Sequence, residues 1–218
     1  MPDLPANTCL YFGTFNPIHT GHLMIAQAVL RQFSGSQTPI TSVTFIPAGN
    51  PPHRHHENDL LSADHRFRMV QLATAANPVF QVSEVEIERN ERSYTVETLR
   101  RLIEQGQIQA PVPMIIGSDA LAGLASWREP EALIELACFF QAPRPGIDWV
   151  DSIELNGRAV QLNTRRIEMP ELALSSSWIR ENLRTTPDAI AGLRYFLAEP
   201  VRRYIQDNRL YLHSDSEF

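Results

Sequence analysis

Cysteine is scarce in this 218-residue chain: Cys9 and Cys138 are the only two, each inside an apolar run. Two such thiols make no disulfide framework, which excludes a small stapled secreted scaffold. Positive charge is also in short supply, with 19 basic against 25 acidic side chains and a formal net charge of -6. A sequence-independent nucleic-acid binder needs a basic surface to displace counterions from phosphates, so no nucleic-acid partner is expected. A local basic pocket for a small anion stays open. No run approaches the ~20 apolar residues of a membrane span, and no membrane partner is expected either. The start, MPDLPANTCLYFG, lacks a basic stretch followed by a long apolar one. No signal peptide is expected, and the chain reads as cytoplasmic.

What is present suits one well-cored α/β domain spanning residues 1–218, with no internal repeat or low-complexity tract. Short apolar runs alternate with helical patterns. Strands are expected over Cys9–Phe12, Ser42–Ile46, Val79–Val82 and Val112–Ile116, the last nearly continuous and so buried on both faces. Helices are expected from about Gly21 to Phe33, Ser62 to Ala76 with Ser62 as N-cap, and Thr95 to Gln105. Further helices are expected over Glu129–Leu136, running into Ala137–Gln141, and over Ser176–Leu183 and Val201–Asn208. This alternation predicts a Rossmann-like, doubly wound parallel sheet with helices on both faces. The stretch PRPGIDWVDSIELNG is the least regular and is expected to be a loop.

In such a sheet, ligands bind beyond the carboxyl ends of the strands. The first strand-to-helix loop, GTFNPIHTGH, matches neither the dinucleotide fingerprint nor the P-loop. It carries His19 and His22 three apart, with Gly21 between them where a helix opens. A lone histidine there is more often a semi-buried packing residue than a functional one. A pair beside exposed helix N–H groups fits a phosphate, and Gly21 leaves the backbone open to it. Zinc fits less well, because the Glu of H-E-x-x-H and a third ligand are missing. Farther on, ALSSSWIRENL sets three serines before a helix. One serine suffices as an N-cap. Counted from Ser177, Arg180 falls in the first helical turn, where a cation opposes the macrodipole unless an anion is bound. Ser176, Ser177 and Arg180 are therefore a candidate second phosphate clamp.

These two stretches resemble the paired signatures of the nucleotidylyltransferase superfamily, H-x-G-H and S-S-T/S-x-I-R. IPAGNPPHR, RSYTVETL, IIGSDALAGLASW, PRPG and VRRYIQDNRLY resemble the bacterial nicotinate mononucleotide adenylyltransferases in particular. The resemblance runs across nearly the whole chain. It implies transfer of AMP from ATP to nicotinate mononucleotide, giving deamido-NAD and pyrophosphate. His19 and His22 are then the catalytic pair. ATP is implied at Gly13, Thr14, Phe15, His19, His22, Gly117, Asp119, Ser176, Ser177 and Arg180. The acceptor is implied at Thr95, Trp127, Arg128 and Arg144, with Trp127 stacked on the pyridine ring and backbone N–H groups of Thr95 and Arg128 on its carboxylate. Mg2+ would travel with ATP, bridging phosphates with mostly water ligands, so no protein metal cage is expected. Two positions depart from the family pattern: Phe12 where glycine is usual and Asn16 where aspartate is usual. Nicotinamide mononucleotide or phosphopantetheine as acceptor, or a non-catalytic ATP-binding module, are the alternatives. The basic loop His53–His56 reads as solvated, although its PPHR part fits the family. Oligomeric state has no signature in the sequence.

Overall fold

A computed structural model describes residues 4–52, 59–89, 91–185 and 189–211. The His53–His56 loop lies outside the described residues. In chain order the elements are β1 (Thr8–Gly13), α1 (Thr20–Phe33), β2 (Ser42–Pro47), α2 (Ala63–Thr74), β3 (Phe80–Val82), α3 (Thr95–Glu104), β4 (Val112–Gly117) and α4 (Ser118–Ala122). They continue as α5 (Pro130–Leu136), β5 (Ala137–Ala142), β6 (Ser152–Leu155), β7 (Arg158–Gln161), β8 (Thr164–Arg166), α6 (Ser176–Leu183), α7 (Ala189–Gly192) and α8 (Glu199–Asp207). The sheet runs β3-β2-β1-β4-β5-β8, and every neighbouring pair in it is parallel. From β1 the chain winds outward through β2 to β3, then returns to the other side of β1 with β4. The strand order therefore reverses between β1 and β4, and the crevice expected at such a switch opens beyond Gly13 and Gly117, where those two strands end.

Alternation along the strands explains the two-faced core. Cys9 and Tyr11 of β1 pack with Ile25, Ala26 and Val29 of α1 and with Val201 and Ile205 of α8. Leu10, between them, joins Val96, Leu99 and Leu102 of α3 on the opposite face. Strand β5 divides the same way, with Phe140 on the first face and Phe139 on the second. Each such fully buried aliphatic or aromatic side chain contributes about 1.5–3 kcal/mol. The buried hydroxyls of Thr8 and Thr44 meet at 2.8 Å across β1 and β2, satisfying each other inside the sheet. Among the described residues no helix is long and apolar enough to cross a membrane.

Two expectations need correcting. The irregular stretch after Pro143 is not all loop: β6 and β7 form an antiparallel hairpin within and just beyond it, turning through Asn156 and Gly157 at φ 52° and 74°. Asn-Gly tolerates that left-handed pair, and Ile153 and Leu155 alternate onto the core face. The helix from 130 also stops at Leu136, and Ala137–Ala142 is a strand buried throughout.

Candidate active site

The loop from Gly13 to His22 leaves β1 and doubles back into α1. His19 is the helix's N-cap residue and is buried, while His22 is half-buried. Their rings stack with centroids 3.7 Å apart. The backbone N–H of His19 donates to His22 Nδ1 at 3.2 Å. That fixes the neutral His22 tautomer, because an Nδ1 that accepts leaves the proton on Nε2. Desolvation, with the nearby Arg144 charge, lowers the His19 pKa to about 3. Desolvation, His19 and Arg144 also hold His22 well below the usual histidine range. The pair is neutral at physiological pH, so it can donate hydrogen bonds at a helix start without repelling the dipole. Gly21 serves this packing: a Cβ there would lie 3.0 Å from His19 Nδ1.

Phe15 sits beneath the pair. Its ring is buried, edge-on to His22 at 5.1 Å and to Tyr11 at 5.6 Å, and its φ is 48°. A Cβ on Gly13 would lie 2.7 Å from the Phe15 ring, so the strand must end in glycine for the ring to fold back. Phe15 thus faces any ligand through its backbone, not its ring. Asn16 is fully buried and acts as a hub. Its Nδ2 donates to the Asp59 carbonyl at 3.0 Å, and its Oδ1 accepts from Leu61 N–H and from the Tyr211 hydroxyl at 3.3 and 2.8 Å. An amide satisfies these partners. An aspartate would set a carboxylate oxygen against the Asp59 carbonyl.

Helix α6 packs onto this loop. The N-cap is Ser175, whose Oγ accepts from Trp178 N–H at 3.1 Å. Arg180 therefore lies in the last turn and not the first, which removes the dipole argument for its role. It is 5% exposed. Its Nε donates to Asp59 Oδ2 at 2.6 Å and its NH1 to the Asn16 carbonyl at 2.9 Å, and Arg184 joins the same carboxylate at 2.8 Å. Burial alone would raise the Asp59 carboxyl, but the bonds and charge of Arg180 and Arg184 hold it lower. Ser176 donates to the Pro17 carbonyl at 2.8 Å, while Ser177 is exposed beside Arg180. The structure thus brings both expected phosphate elements together.

Across the switch point stand Gly117, Ser118 and Asp119. A Cβ on Gly117 would run into the Asp119 carboxylate and lie 3.4 Å from Arg144 Nε. Arg144 Nε is 3.7 Å from Asp119 Oδ1, and its NH1 reaches the Leu174 carbonyl at 3.4 Å. Arg144, implied as an acceptor residue, does not line a cavity with Thr95, Trp127 and Arg128, and stands near enough to His19 and His22 for its charge to act on both. Buried polar atoms without a hydrogen-bond partner among the described residues include His19 Nδ1, Ser118 Oγ and Arg144 Nε. Ser118 lines a separate small pocket with Gln141, Pro143 and Trp149.

On the far side of Gly13 and Thr14 opens a cavity of about 190 Å³. Thr95, Trp127, Arg128, Phe12 and, from one turn, Ala48, Pro51 and Pro52 line it, together with the buried Glu86. Thr95 is the first residue of α3, where helix N–H groups lack intrahelical acceptors. The Arg128 guanidinium lies 5.6 Å over the Tyr94 ring. Desolvation raises Glu86 to about 6 against the pull of Thr98, Ser93, Arg89 and Arg66. Sequence reasoning missed Asp59, Glu86, Arg66 and Tyr211. Arg66 lies in a helix rich in polar residues, and nothing local marks it as buried.

The chain matches the cytidylyltransferase-like family over residues 10–182. It is 38% identical over 214 residues to a probable nicotinate-nucleotide adenylyltransferase of Symbiobacterium thermophilum, covering 97% of this chain and 98% of that protein. It is 39% identical over 199 residues to one of Frankia casuarinae, covering 91% and 97% respectively. Among solved structures, Plasmodium falciparum nicotinic acid mononucleotide adenylyltransferase complexed with NaAD superimposes with a TM-score of 0.70 at 20% identity, covering 94% of this chain and 96% of that one. At that identity the likeness speaks for the fold.

Proposed function

The chain belongs to the nicotinate-nucleotide adenylyltransferases of the cytidylyltransferase-like family, and from that membership we propose how its residues carry the reaction. It joins nicotinate mononucleotide to the AMP part of ATP, giving deamido-NAD and pyrophosphate in NAD biosynthesis. A phosphate oxygen of the mononucleotide attacks the α-phosphorus of ATP, and the bond to pyrophosphate breaks. The second pKa of a phosphate monoester is near ~6, so the nucleophile is already ionised and needs no general base. The protein positions the reactants and neutralises charge on the α- and leaving phosphates.

The observation that carries this reading is the single loop shared by two sites. Gly13 and Thr14 wall the acceptor cavity, and the same loop runs on to the histidines and is clasped by α6. We assign His22 Nε2–H and His19 to the triphosphate, with Arg144, Asp119 and Gly117 beside them. Ser176 and Ser177 present the start of α6, and Arg180 holds that helix in place. Trp127 stacks on the pyridine ring, while N–H groups of Thr95 and Arg128 receive its carboxylate.

A divalent cation accompanies ATP in this chemistry, and we take it to be Mg2+. Among the described residues no three His, Cys, Asp or Glu side chains converge. Phosphate oxygens and water would supply the ligands of such a cation. When bound it would neutralise charge on the phosphates. We treat the chain as one domain, supported by Tyr204 and Tyr211, which tie its end to His65 and Asn16. We place it in the cytoplasm, supported by its soluble substrates and two cysteines free of disulfide. Pyrophosphate release that requires both ATP and nicotinate mononucleotide, matched by deamido-NAD formed, is the expected result. Release from ATP alone, or none, would overturn the reading.

A further inference from the structure

Arg66, on α2, is 1% exposed. Its guanidinium donates three hydrogen bonds, all to backbone carbonyls: Nε to Leu61 at 3.0 Å, NH1 to Thr14 at 2.9 Å and NH2 to Gly49 at 2.9 Å. The three carbonyls belong to three segments with different duties. Thr14 lies in the loop that continues to His19 and His22. Gly49 lies in the turn whose Ala48, Pro51 and Pro52 wall the acceptor cavity. Leu61 follows Asp59, the carboxylate that pairs with Arg180, and its N–H is held by Asn16.

We propose that Arg66 is a positioning residue for adenylyl transfer, its guanidinium setting the spacing between the loop that holds ATP and the turn that holds the acceptor. The inference rests on the reaction assigned above. Burying a cation is costly, and packing alone is met more cheaply by an apolar side chain. What an apolar side chain cannot do is bond three carbonyls at once. A planar fork with five N–H donors can, and it holds them at fixed angles. The acceptor turn is pinned from its other side as well. A Cβ on Gly49 would collide with the Glu86 carbonyl, and Asn50 N–H donates to Ser93 Oγ at 3.1 Å. The turn therefore sits between Arg66 on one side and Glu86 and Ser93 on the other, with little freedom to shift. Desolvation lowers the Arg66 pKa to about 10, so the fork stays charged at neutral pH. In-line displacement needs the reacting atoms about 3–3.5 Å apart, and a misplacement on the order of 1 Å costs about 10²-fold in rate.

The test uses Arg66→Lys, which keeps the charge but cannot span three carbonyls, and Arg66→Met, which keeps only the stem. Circular dichroism and thermal unfolding establish folding. Calorimetry gives the Kd of Mg-ATP alone and of nicotinate mononucleotide alone, and pyrophosphate release at saturation gives kcat. Both Kd values should stay within about threefold of wild type while kcat falls about 10²-fold. A purely structural role would not separate kcat from binding in this way. A kcat within threefold of wild type, a loss confined to Kd, or failure of both variants to fold even with both substrates present would each overturn the inference. A wild-type protein that releases no pyrophosphate would strike the assigned reaction instead, and that is seen before any variant is compared.

Discussion

On one side of Gly13–Thr14 the histidine pair is packed on Phe15 and Tyr11, with the His19 N–H held by His22 and the loop held by Asn16 and Arg180. On the other side the acceptor cavity is walled by half-exposed side chains, among them Trp127, and by Arg128, whose side chain is 58% exposed. The contrast separates two tasks. Stabilising charge on transferring phosphates rewards donors fixed before the substrate arrives, in a site from which water is excluded. Telling one mononucleotide from another needs few contacts, provided they are backbone donors that cannot turn around. An exposed arginine contributes little to that choice.

The sharpest way to break the contrast is at His22. Replacing it with alanine should lower kcat by about 10² or more, the scale of losing one preorganised donor, and by the same factor for every acceptor tested. A loss that differed between acceptors would blur the two sides into one. Arg180→Ala comes next. Because Arg180 joins Asp59 to the Asn16 carbonyl, the ligand-free variant should lose about 2 kcal/mol, read from chemical denaturation. Unchanged stability of the apo protein would return Arg180 to a purely phosphate-binding role.

The smallest effect sharpens the buried character of the phosphate side. His19 is held neutral by burial, with a folded pKa of about 3. Below about pH 6.5 the unfolded chain binds a proton that the folded chain refuses, so stability falls as pH drops through that range toward 3. His19→Asn removes this contribution. Between about pH 7.5 and 5.5 the wild type should lose about 1 kcal/mol more than the variant. Parallel stability curves would show His19 to be solvated.

Much of the geometry around the histidine pair was legible because it is local. Two histidines around a glycine, and serines before another helix, mark both helix starts within ten residues. The strands were legible through apolar runs bounded by Gly, Pro and polar residues. Arg180 shows where local reading fails. Moving the N-cap from Ser177 to Ser175 shifts the arginine from the first turn to the last, and the partner that defines it, Asp59, is 121 residues away. Arg66 and Asn16 are illegible for the same reason: their partners come from other segments. The β6–β7 hairpin had a signal in Asn156-Gly157 between alternating residues, but the surrounding loop-like composition masked it. Of the four residues for which the family resemblance implied an acceptor role, Thr95, Trp127 and Arg128 line one cavity and Arg144 does not, while the buried Glu86 in its wall had no local mark.

The central claim is that backbone N–H donors beside Trp127 select a carboxylate, and the ratio of kcat/KM for nicotinate against nicotinamide mononucleotide tests it most directly. The two acceptors differ only in a carboxylate against a carboxamide. A donor-lined pocket leaves the carboxamide NH₂ unpaired, at a cost of about 1–3 kcal/mol. The account predicts a preference for nicotinate mononucleotide of at least about tenfold. Equal values, or a preference for the amide, would contradict it.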